Sequence, residues 1–272
     1  MSLIPPTEPA AGHPRRRYAR IVAVIDLNAD LGETVDGGPT ADDDAMFALI
    51  SSASVACGGH AGDTASMRSA VERAARTGVA IGAHPSYPDR AGFGRTPLSI
   101  TQADLRASVD AQLRALAGAG ADIRYVKPHG ALYHAVRGDV GHARAVVDAV
   151  ASVSAALGRA VPILGLDGVI ADEASRTGLP FVREAFLDRG YLPDGGLVPR
   201  SDPRALLRDP EAVAARAVRL ARSGVVEAID GSLVEAAAAS LCVHGDSPGA
   251  LAMARAVRAA LDAAGVDIAA PW

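Results

Sequence analysis

The stretch DIRYVKPHG, residues 122–130, shows the unit from which this chain is built: an alternating, strand-like run that ends in Lys127 and His129. Similar short β-rich runs recur along the chain, at residues 20–30, 51–60, 78–86, 160–168, 179–186 and 239–246. Longer Ala-rich stretches with helical spacing separate them, at residues 64–77, 101–117, 139–157, 203–222 and 247–264. Strands that alternate with helices predict a parallel sheet with right-handed crossovers, and seven such units close naturally into a β/α barrel.

The organisation of the chain follows from the same pattern. The pair Asp230-Gly231 lies between two β-like runs, so residues 227–236 are predicted to form a small hairpin before the last strand. The first strand is not followed by a GxGxxG motif, which argues against a dinucleotide-binding sheet. We therefore predict a single α/β domain, a seven-stranded parallel β/α barrel over residues 20–272, with a disordered extension at residues 1–19.

Composition and charge narrow the classes of function. The chain has 272 residues, of which 49% are hydrophobic and 21% charged, so a sizeable core is available. Its net charge of −4 gives no electrostatic footprint for nucleic acid. The two cysteines, Cys57 and Cys242, cannot form a disulfide framework and fit a reduced, cytoplasmic setting. No apolar run approaches the ~20 residues of a membrane span. From the charge and this absence together, we expect neither nucleic acid nor a membrane as a partner.

Titratable side chains follow nearly every predicted strand, at the position where a β/α barrel carries its functional residues. Four of them are histidines, His60, His84, His129 and His244, and histidine is not a preferred helix cap. We expect at least two of the four to line one site. An aspartate before a helix is a common cap, so some of these acidic residues could serve only to cap the helix that follows. The other strand ends supply Asp26, Asn28, Asp30, Glu33, Asp63, Tyr87, Asp89, Arg90, Tyr133, Asp167, Arg183, Glu184, Asp188, Arg189 and Asp246.

The first strand and Lys127 are predicted to meet inside the barrel. Asp26, Asn28 and Asp30 are two residues apart, so in a strand they face the same side. Lys127 ends an apolar strand, where a lysine is costly to bury unless it is paired or serves a substrate. It could hold a carboxylate or a phosphate, or stabilise developing negative charge. The alternative is a salt bridge to Glu184 or to an aspartate of the first strand.

Six long blocks of the sequence resemble the LamB/YcsF family, whose members form the A subunit of bacterial ATP-dependent 5-oxoprolinase. The blocks are DLNADLGE (26–33), SSASVACGGHAGD (51–63), GAHPSYPDRAGFGR (82–95), VKPHGALYH (126–134), REAFLDRGYLPDGGLVPRS (183–201) and CVHGDSPGA (242–250). The resemblance implies an irregular seven-stranded barrel related to the glycoside hydrolase/deacetylase group. It also implies a hydrolase that opens a cyclic amide, converting 5-oxo-L-proline, ATP and water to L-glutamate, ADP and phosphate with the B and C subunits. Gly59 departs from the family pattern, which has Phe there, so an aromatic wall beside His60 is expected to be missing.

Roles for individual residues follow from the chemistry that this resemblance implies. The site must hold a carboxylate, stabilise an oxyanion or phosphate, and offer a base. ATP is expected as the cosubstrate of the complex, with Mg²⁺, and any further metal is uncertain, with Asp30, His60 and His129 as candidate ligands. The catalytic candidates are Asp30, His60, Lys127, His129 and Glu184. The substrate-binding candidates are Asn28, His84, Tyr87, Arg95, Tyr133, Arg183, His244 and Asp246.

Two other functions are left open by the sequence. A metal-dependent deacetylase of amides or carbohydrates would take its ligands from Asp30, His60 and one of His84 or His129. A non-catalytic scaffold within the same complex would leave the chemistry to a partner. The chain has no GxxxxGK[ST] loop, so the sequence does not decide whether ATP binds this chain or a partner.

Overall fold

A closed barrel of parallel strands forms the centre of the protein, as shown by a computed structural model that describes residues 24–272. Within that range the strands are β1 Val24–Leu31, β2 Thr34–Val35, β3 Gly38–Pro39, β4 Ser52–Ala56, β5 Ala80–His84, β6 Ile123–Val126, β7 Ile163–Gly165, β8 Phe181–Phe186, β9 Val225–Glu227, β10 Leu233–Glu235, β11 Ser240–Cys242 and β12 Asp267–Ile268. The barrel strands pair in the order β11-β8-β7-β6-β5-β4-β1, and β11 also pairs with β1, which closes the ring. The predicted seven-stranded parallel barrel is therefore confirmed, whereas the predicted extension at residues 1–19 lies outside the described residues.

Helices cover the outside of the barrel. In the described part of the chain they are α1 Asp43–Phe47, α2 Thr64–Thr77, α3 Gln102–Gly118, α4 Gly130–Ala135, α5 Val140–Leu157, α6 Val169–Arg176, α7 Pro210–Ser223 and α8 Ala250–Ala263. Four of the five predicted helices agree with these bounds to within three residues at each end. The prediction for residues 203–222 is wrong at its start, because Asp209 caps the helix by accepting a hydrogen bond from the Glu211 N–H, and Pro210 begins it.

Three short helices and several short strands were not predicted. Helices α1, α4 and α6 have five, six and eight residues, too few for a helical period to stand out in the sequence. The hairpin predicted around Asp230-Gly231 is confirmed, since β9 and β10 pair antiparallel on either side of it. Near the end of the chain, β12 pairs with β1 in parallel, and Val24 lies opposite Asp267.

The helix α5 is long and apolar enough, by length and composition, to cross a membrane. It instead packs in the outer layer, against α3 on one side and α6 on the other. Its buried side chains include Val146, Val147 and Val150, which belong to the continuous apolar core between the barrel and the helices. Its apolar composition is thus explained by its position in the fold.

The amino end of the barrel is closed by aromatic packing. The Tyr125 ring fills the interior at Gly82, where any Cβ would overlap the ring. Its hydroxyl lies 3.0 Å from Ser54 Oγ. Trp272 stacks on Tyr125 with ring centroids 4.6 Å apart, and its Nε1–H donates to Ser52 Oγ at 2.8 Å. This end of the barrel is thereby sealed, and space for a ligand is left at the opposite, carboxyl end.

Candidate active site

The carboxyl ends of the barrel strands surround a cavity of about 570 Å³. Residues far apart in the sequence meet there, which agrees with the strand-end pattern. Seven of the candidate site residues line this cavity: Asp30, His84, Arg95, Lys127, His129, Tyr133 and His244.

Three further candidates lie directly behind the cavity wall. Asn28 is buried, donates to Ser240 Oγ at 2.8 Å, and accepts from Lys127 Nζ at 3.0 Å. Glu184 is buried with its Oε2 3.3 Å from Lys127 Nζ, and His60 is buried beside His129. Asn28 and His60 therefore act on a ligand through their neighbours, and Glu184 can reach one only through its free Oε1.

The remaining candidates lie farther from the cavity. Arg183 forms an exposed ion pair with Asp167. The Tyr87 hydroxyl lies 2.9 Å from Nδ1 of His142, on the outer side of the barrel, and does not line the cavity. Asp246 stands beside the rim, where it accepts from Arg95 at 2.6 Å. The substrate-binding roles of these residues stay predictions.

Lys127 is the centre of a fully buried polar network. Its Nζ donates to Asp30 Oδ1 at 2.8 Å, to Asn28 Oδ1 at 3.0 Å and to Cys242 Sγ at 3.2 Å. With Glu184 Oε2 also within 3.3 Å, both partners that the sequence suggested for a salt bridge are present. The network exists because Asp30 and Asn28 alternate on the inner face of β1 while Lys127 immediately follows β6.

The charges in this network stabilise one another. Burial alone would lower the pKa of Lys127, but the nearby charge of Asp30 holds that pKa well above its usual value. Burial acts to raise the pKa of Asp30, but the charges of His84 and Lys127 hold it well below its usual range. The floor of the cavity therefore carries a fixed ammonium–carboxylate pair.

Two polar atoms beside this pair have no hydrogen-bond partner among residues 24–272. They are the Tyr133 hydroxyl and Glu184 Oε1, both buried. Burial and the neighbouring Glu184 charge raise the pKa of Tyr133 well above its usual value, so the phenol keeps its proton and is a donor. The Tyr133 hydroxyl lies close enough to the Glu184 carboxylate for it to raise the Tyr133 pKa, but the two form no hydrogen bond of good geometry, so a polar ligand could satisfy both.

A second cluster, which we call the histidine cluster, consists of Glu33, His60, His84 and His129. Each residue offers one ligand-type atom, and these four atoms lie within 4.8 Å of one another. His129 Nδ1 lies 3.0 Å from His84 Nε2, and His60 Nε2 lies 3.1 Å from Glu33 Oε1. The rings of His60 and His129 stack with centroids 3.7 Å apart. Three of the four histidines found at strand ends thus share one position in space.

Burial keeps three members of this cluster, Glu33, His60 and His129, uncharged. Burial, and then the neighbouring charge of Asp30, raises the pKa of Glu33 to about 8. Burial lowers the pKa values of His60 and His129 well below the usual value, and the adjacent histidines lower them further. The two imidazoles are therefore neutral at physiological pH, with lone pairs available to a ligand.

His244 forms a separate dyad with Asp188 on the opposite wall. Its Nδ1 lies 2.9 Å and 3.0 Å from the two Asp188 oxygens, so Nδ1 carries a proton and donates it to the carboxylate. The His244 ring stacks on Phe186 with centroids 5.2 Å apart. This fixes the ring and directs the chemistry to Nε2, which makes no hydrogen bond within the described residues.

Basic side chains form the mouth of the cavity. Arg95, Arg189 and Arg200 line it. Arg95 lies over the Phe93 ring at 4.7 Å from its centroid, and Arg189 donates to the carbonyl oxygens of Ala205 and Val198. Burial lowers the pKa of Arg189 to about 10, so it stays cationic at neutral pH. The mouth is thus suited to an anionic ligand.

The expectation that Gly59 leaves His60 without an aromatic neighbour is wrong. Phe93 takes that place, with its ring centroid 5.2 Å from that of His60. A Cβ at Gly59 would overlap Gln112 Oε1 and lie 2.5 Å from Ser86 Oγ. Glycine is required here because Gln112 occupies the space, accepting from the Ser86 N–H at 3.0 Å.

Several residues of the site were not among the sequence candidates. Glu33 and Asp188 were noted as strand-end acids, but nothing in the sequence indicated that they face His60 and His244. Arg200 lies in a long loop whose path the sequence does not predict. The place of these three residues in the site is seen only from their spatial neighbours, because no sequence pattern marks it.

The sequence is similar to that of known proteins over most of its length. A model of the LamB/YcsF family matches residues 25–271. The chain belongs to the LamB/YcsF family. It is 50% identical to the A subunit of 5-oxoprolinase from Streptomyces avermitilis over 252 residues, covering 91% of this chain and 99% of that protein. It is 48% identical to an A subunit of 5-oxoprolinase from Agrobacterium fabrum, over 91% of this chain and 97% of that protein.

A solved protein with the same fold is a lactam utilization protein from Thermus thermophilus, 43% identical to this chain. The two superpose with a TM-score of 0.83, over 90% of this chain and 99% of that chain. The barrel described here is thus shared with that protein over nearly its full length.

Proposed function

We propose that this chain is the A subunit of an ATP-dependent 5-oxoprolinase, which opens 5-oxo-L-proline to L-glutamate as ATP is hydrolysed to ADP and phosphate. The names of its relatives support this role, since each is called the A subunit of 5-oxoprolinase. The observation that carries the proposal is Lys127, a buried cation on the cavity floor beside the unpartnered Tyr133 hydroxyl and Glu184 Oε1. That arrangement suits an amide whose oxygen becomes negative as it reacts.

The substrate's carboxylate would bind at the mouth, and its amide at the floor. Arg189 and Arg200 are the cations available to the carboxylate, since Arg95 is already paired with Asp246. The lactam oxygen, or the phosphate carried on it after ATP activation, would take the Lys127 proton that is now donated to Cys242 Sγ, a weak acceptor. The Tyr133 hydroxyl would donate to the same oxygen, and Glu184 Oε1 would accept from the ring N–H.

His244 is the best-placed general base. Its Nδ1 donates to Asp188, which leaves Nε2 directed to the cavity as the atom that would take a proton from the attacking water. The ring nitrogen of the substrate needs a proton when the carbon–nitrogen bond breaks, and the same Nε2 can return it. His129, the base suggested by the sequence, is less suitable because its Nε2–H is held by the Phe93 carbonyl oxygen at 3.0 Å.

ATP, Mg²⁺ and the B and C subunits belong to the proposed complex. Phosphorylation of the lactam oxygen by ATP would let water attack the ring carbon, and breaking of the carbon–nitrogen bond would leave an acyl phosphate of glutamate. Hydrolysis of that acyl phosphate by a second water would release phosphate and L-glutamate. The proposal further places this complex in the cytoplasm. The deacetylase alternative is less well supported, because Asp30, which it needs as a metal ligand, is ion-paired with Lys127.

The test is turnover of 5-oxoproline by the chain reconstituted with its B and C subunits. We expect His244→Gln to lower kcat by about 10²–10⁴-fold, the usual contribution of a general base. The matched control is His142→Gln, a histidine on α5 outside the cavity, and we expect it to retain wild-type turnover.

Two results would contradict the proposal. Equal turnover by both variants would remove His244 from the reaction. If Lys127→Ala also left the reconstituted complex fully active, the chain would be a scaffold whose cavity does no chemistry.

A further inference from the structure

The hydrogen bonds of His84 and His129 fix the position of a proton on each ring. His84 Nδ1 lies 2.7 Å from the Lys127 carbonyl oxygen, and His129 Nε2 lies 3.0 Å from the Phe93 carbonyl oxygen. A carbonyl oxygen only accepts, so each of these two nitrogens must carry a hydrogen. In a neutral imidazole the other nitrogen is then a bare lone pair.

The two remaining nitrogens face each other. His84 Nε2 and His129 Nδ1 are 3.0 Å apart, so if both rings are neutral, two lone pairs meet at hydrogen-bond distance with no hydrogen between them. Asp30 Oδ2, an acceptor 3.4 Å from His84 Nε2, adds to the mismatch. A positive centre is needed at this point, and it is either an extra proton or a metal ion.

The shape of the histidine cluster favours a metal ion over a proton. A shared proton would satisfy His84 and His129 alone, whereas ligand-type atoms of His60 and Glu33 also lie within 4.8 Å of those two nitrogens. The His60 ring, which stacks on His129 with planes 5° apart, must turn for both rings to bind one ion. In a tetrahedral zinc site with bonds of about 2.0–2.1 Å, ligand atoms are roughly 3.3 Å apart. Three separations in the cluster, 3.0, 3.1 and 3.7 Å, are close to that value, and all lie within 4.8 Å, so small side-chain movements would close the four atoms around an ion.

We propose that Glu33, His60, His84 and His129 bind one divalent transition-metal ion, with Zn²⁺ as the best match. Three imidazoles and one carboxylate are ligands typical of zinc. The carbonyl oxygens that accept from His84 and His129 act as the outer partners that usually orient metal-bound histidines. All four ligands belong to this chain, and the inference does not depend on which amide the protein opens.

The proposed site is closed and positions its neighbours. All four residues are buried, with exposed fractions of 1% to 6%, and four protein ligands complete a tetrahedron without a water. His84 donates to the backbone of Lys127, so an ion on its Nε2 would fix the backbone that carries the cavity's ammonium group. We therefore expect a structural ion under the cavity floor rather than one that activates water.

The test is direct metal binding by the full chain after treatment with a chelator. We expect one Zn²⁺ per chain in a calorimetric titration, and a higher Tm in the loaded protein because the ion binds only the folded state. Co²⁺ should give the strong visible absorption of a tetrahedral site. His60→Gln and Glu33→Gln should each weaken Zn²⁺ binding at least tenfold, while His142→Gln should bind as the wild type does.

Other outcomes overturn the proposal. If the chelator-treated chain binds no Zn²⁺ and its Tm does not respond, the positive centre is a proton shared by His84 and His129. If His142→Gln loses binding as the cluster variants do, the ion sits on surface histidines. The metal-free variants should have the Tm of the metal-free wild type, which separates lost ligation from misfolding. None of these measurements uses ATP or 5-oxoproline, so failure of the proposed reaction would leave them unchanged.

Discussion

Around Lys127 the donors and acceptors match one another, whereas around His84 and His129 they do not. The three protons of the Lys127 ammonium meet two oxygens and a sulfur, and the adjacent carboxylates balance its charge. In the histidine cluster, two lone pairs would face each other at 3.0 Å if both rings are neutral. The Lys127 ammonium is satisfied within the chain, and the neighbouring Tyr133 hydroxyl and Glu184 Oε1 are left for a substrate. The histidine cluster is complete only with an added cation, which is why we assign chemistry to the first region and a bound ion to the second.

The largest effect on folding stability is expected from removing the cation of the polar network around Lys127. Lys127→Met would leave Asp30 and Glu184 buried together without their cation, and breaking a buried ion pair in this way costs about 3–5 kcal/mol of folding free energy. Urea unfolding of the variant and the wild type at the same pH measures that loss. Turnover by the reconstituted complex should also disappear.

A double variant separates the two roles of Lys127. Lys127→Met combined with Asp30→Asn removes one charge of each sign, so we expect part of the lost stability to return. Turnover should not return, because the cation that faces the amide oxygen is still missing. If Lys127→Met alone unfolds at the wild-type urea concentration, the pair is not the buried, desolvated one that the contacts describe.

Much of the polar network around Lys127 could be predicted from the sequence, whereas little of the histidine cluster could. The alternation of Asp26, Asn28 and Asp30 has the period of a strand, so their shared face follows from local geometry. That Lys127 meets this face follows from barrel topology, since all of these residues lie on or at the ends of strands that face one interior. The pairing of Glu33 with His60 has no such periodicity, because both residues lie in loops beyond their strands. Loop conformation depends on contacts such as Gln112 with Ser86, which no local pattern encodes.

A smaller effect should follow from disturbing the support of the histidine cluster. At Gly59, next to His60, an added methyl group would overlap the Gln112 side chain that is hydrogen-bonded to Ser86. We expect Gly59→Ala to lower the free energy of unfolding by about 1–3 kcal/mol, the usual cost of overpacking. It should also weaken Zn²⁺ binding, since His60 must shift with its neighbour.

Gly138→Ala is the matched control for this substitution. A Cβ at Gly138 meets no atom within 4 Å, so the same chemical change should leave stability and metal binding near wild type. Equal losses in both variants would show that the loss at Gly59 does not come from Gln112, because the backbone-entropy effect of a Gly→Ala change is itself stabilising.

The smallest effect is expected at the sealed end of the barrel, far from both regions. Trp272→Ala removes the stacking on Tyr125 and the hydrogen bond to Ser52, which together contribute about 1–2 kcal/mol for a partly exposed side chain. Trp272→Phe keeps a ring on Tyr125 and should recover part of that loss in thermal unfolding. Neither variant should change Zn²⁺ affinity or turnover, because the amino end of such a barrel supports the fold while the carboxyl end carries the chemistry. A loss of turnover at unchanged stability would show that the two ends of the barrel are coupled. The difference between the Lys127 network and the histidine cluster would then depend on the sealed end as well as on the residues of the cavity floor.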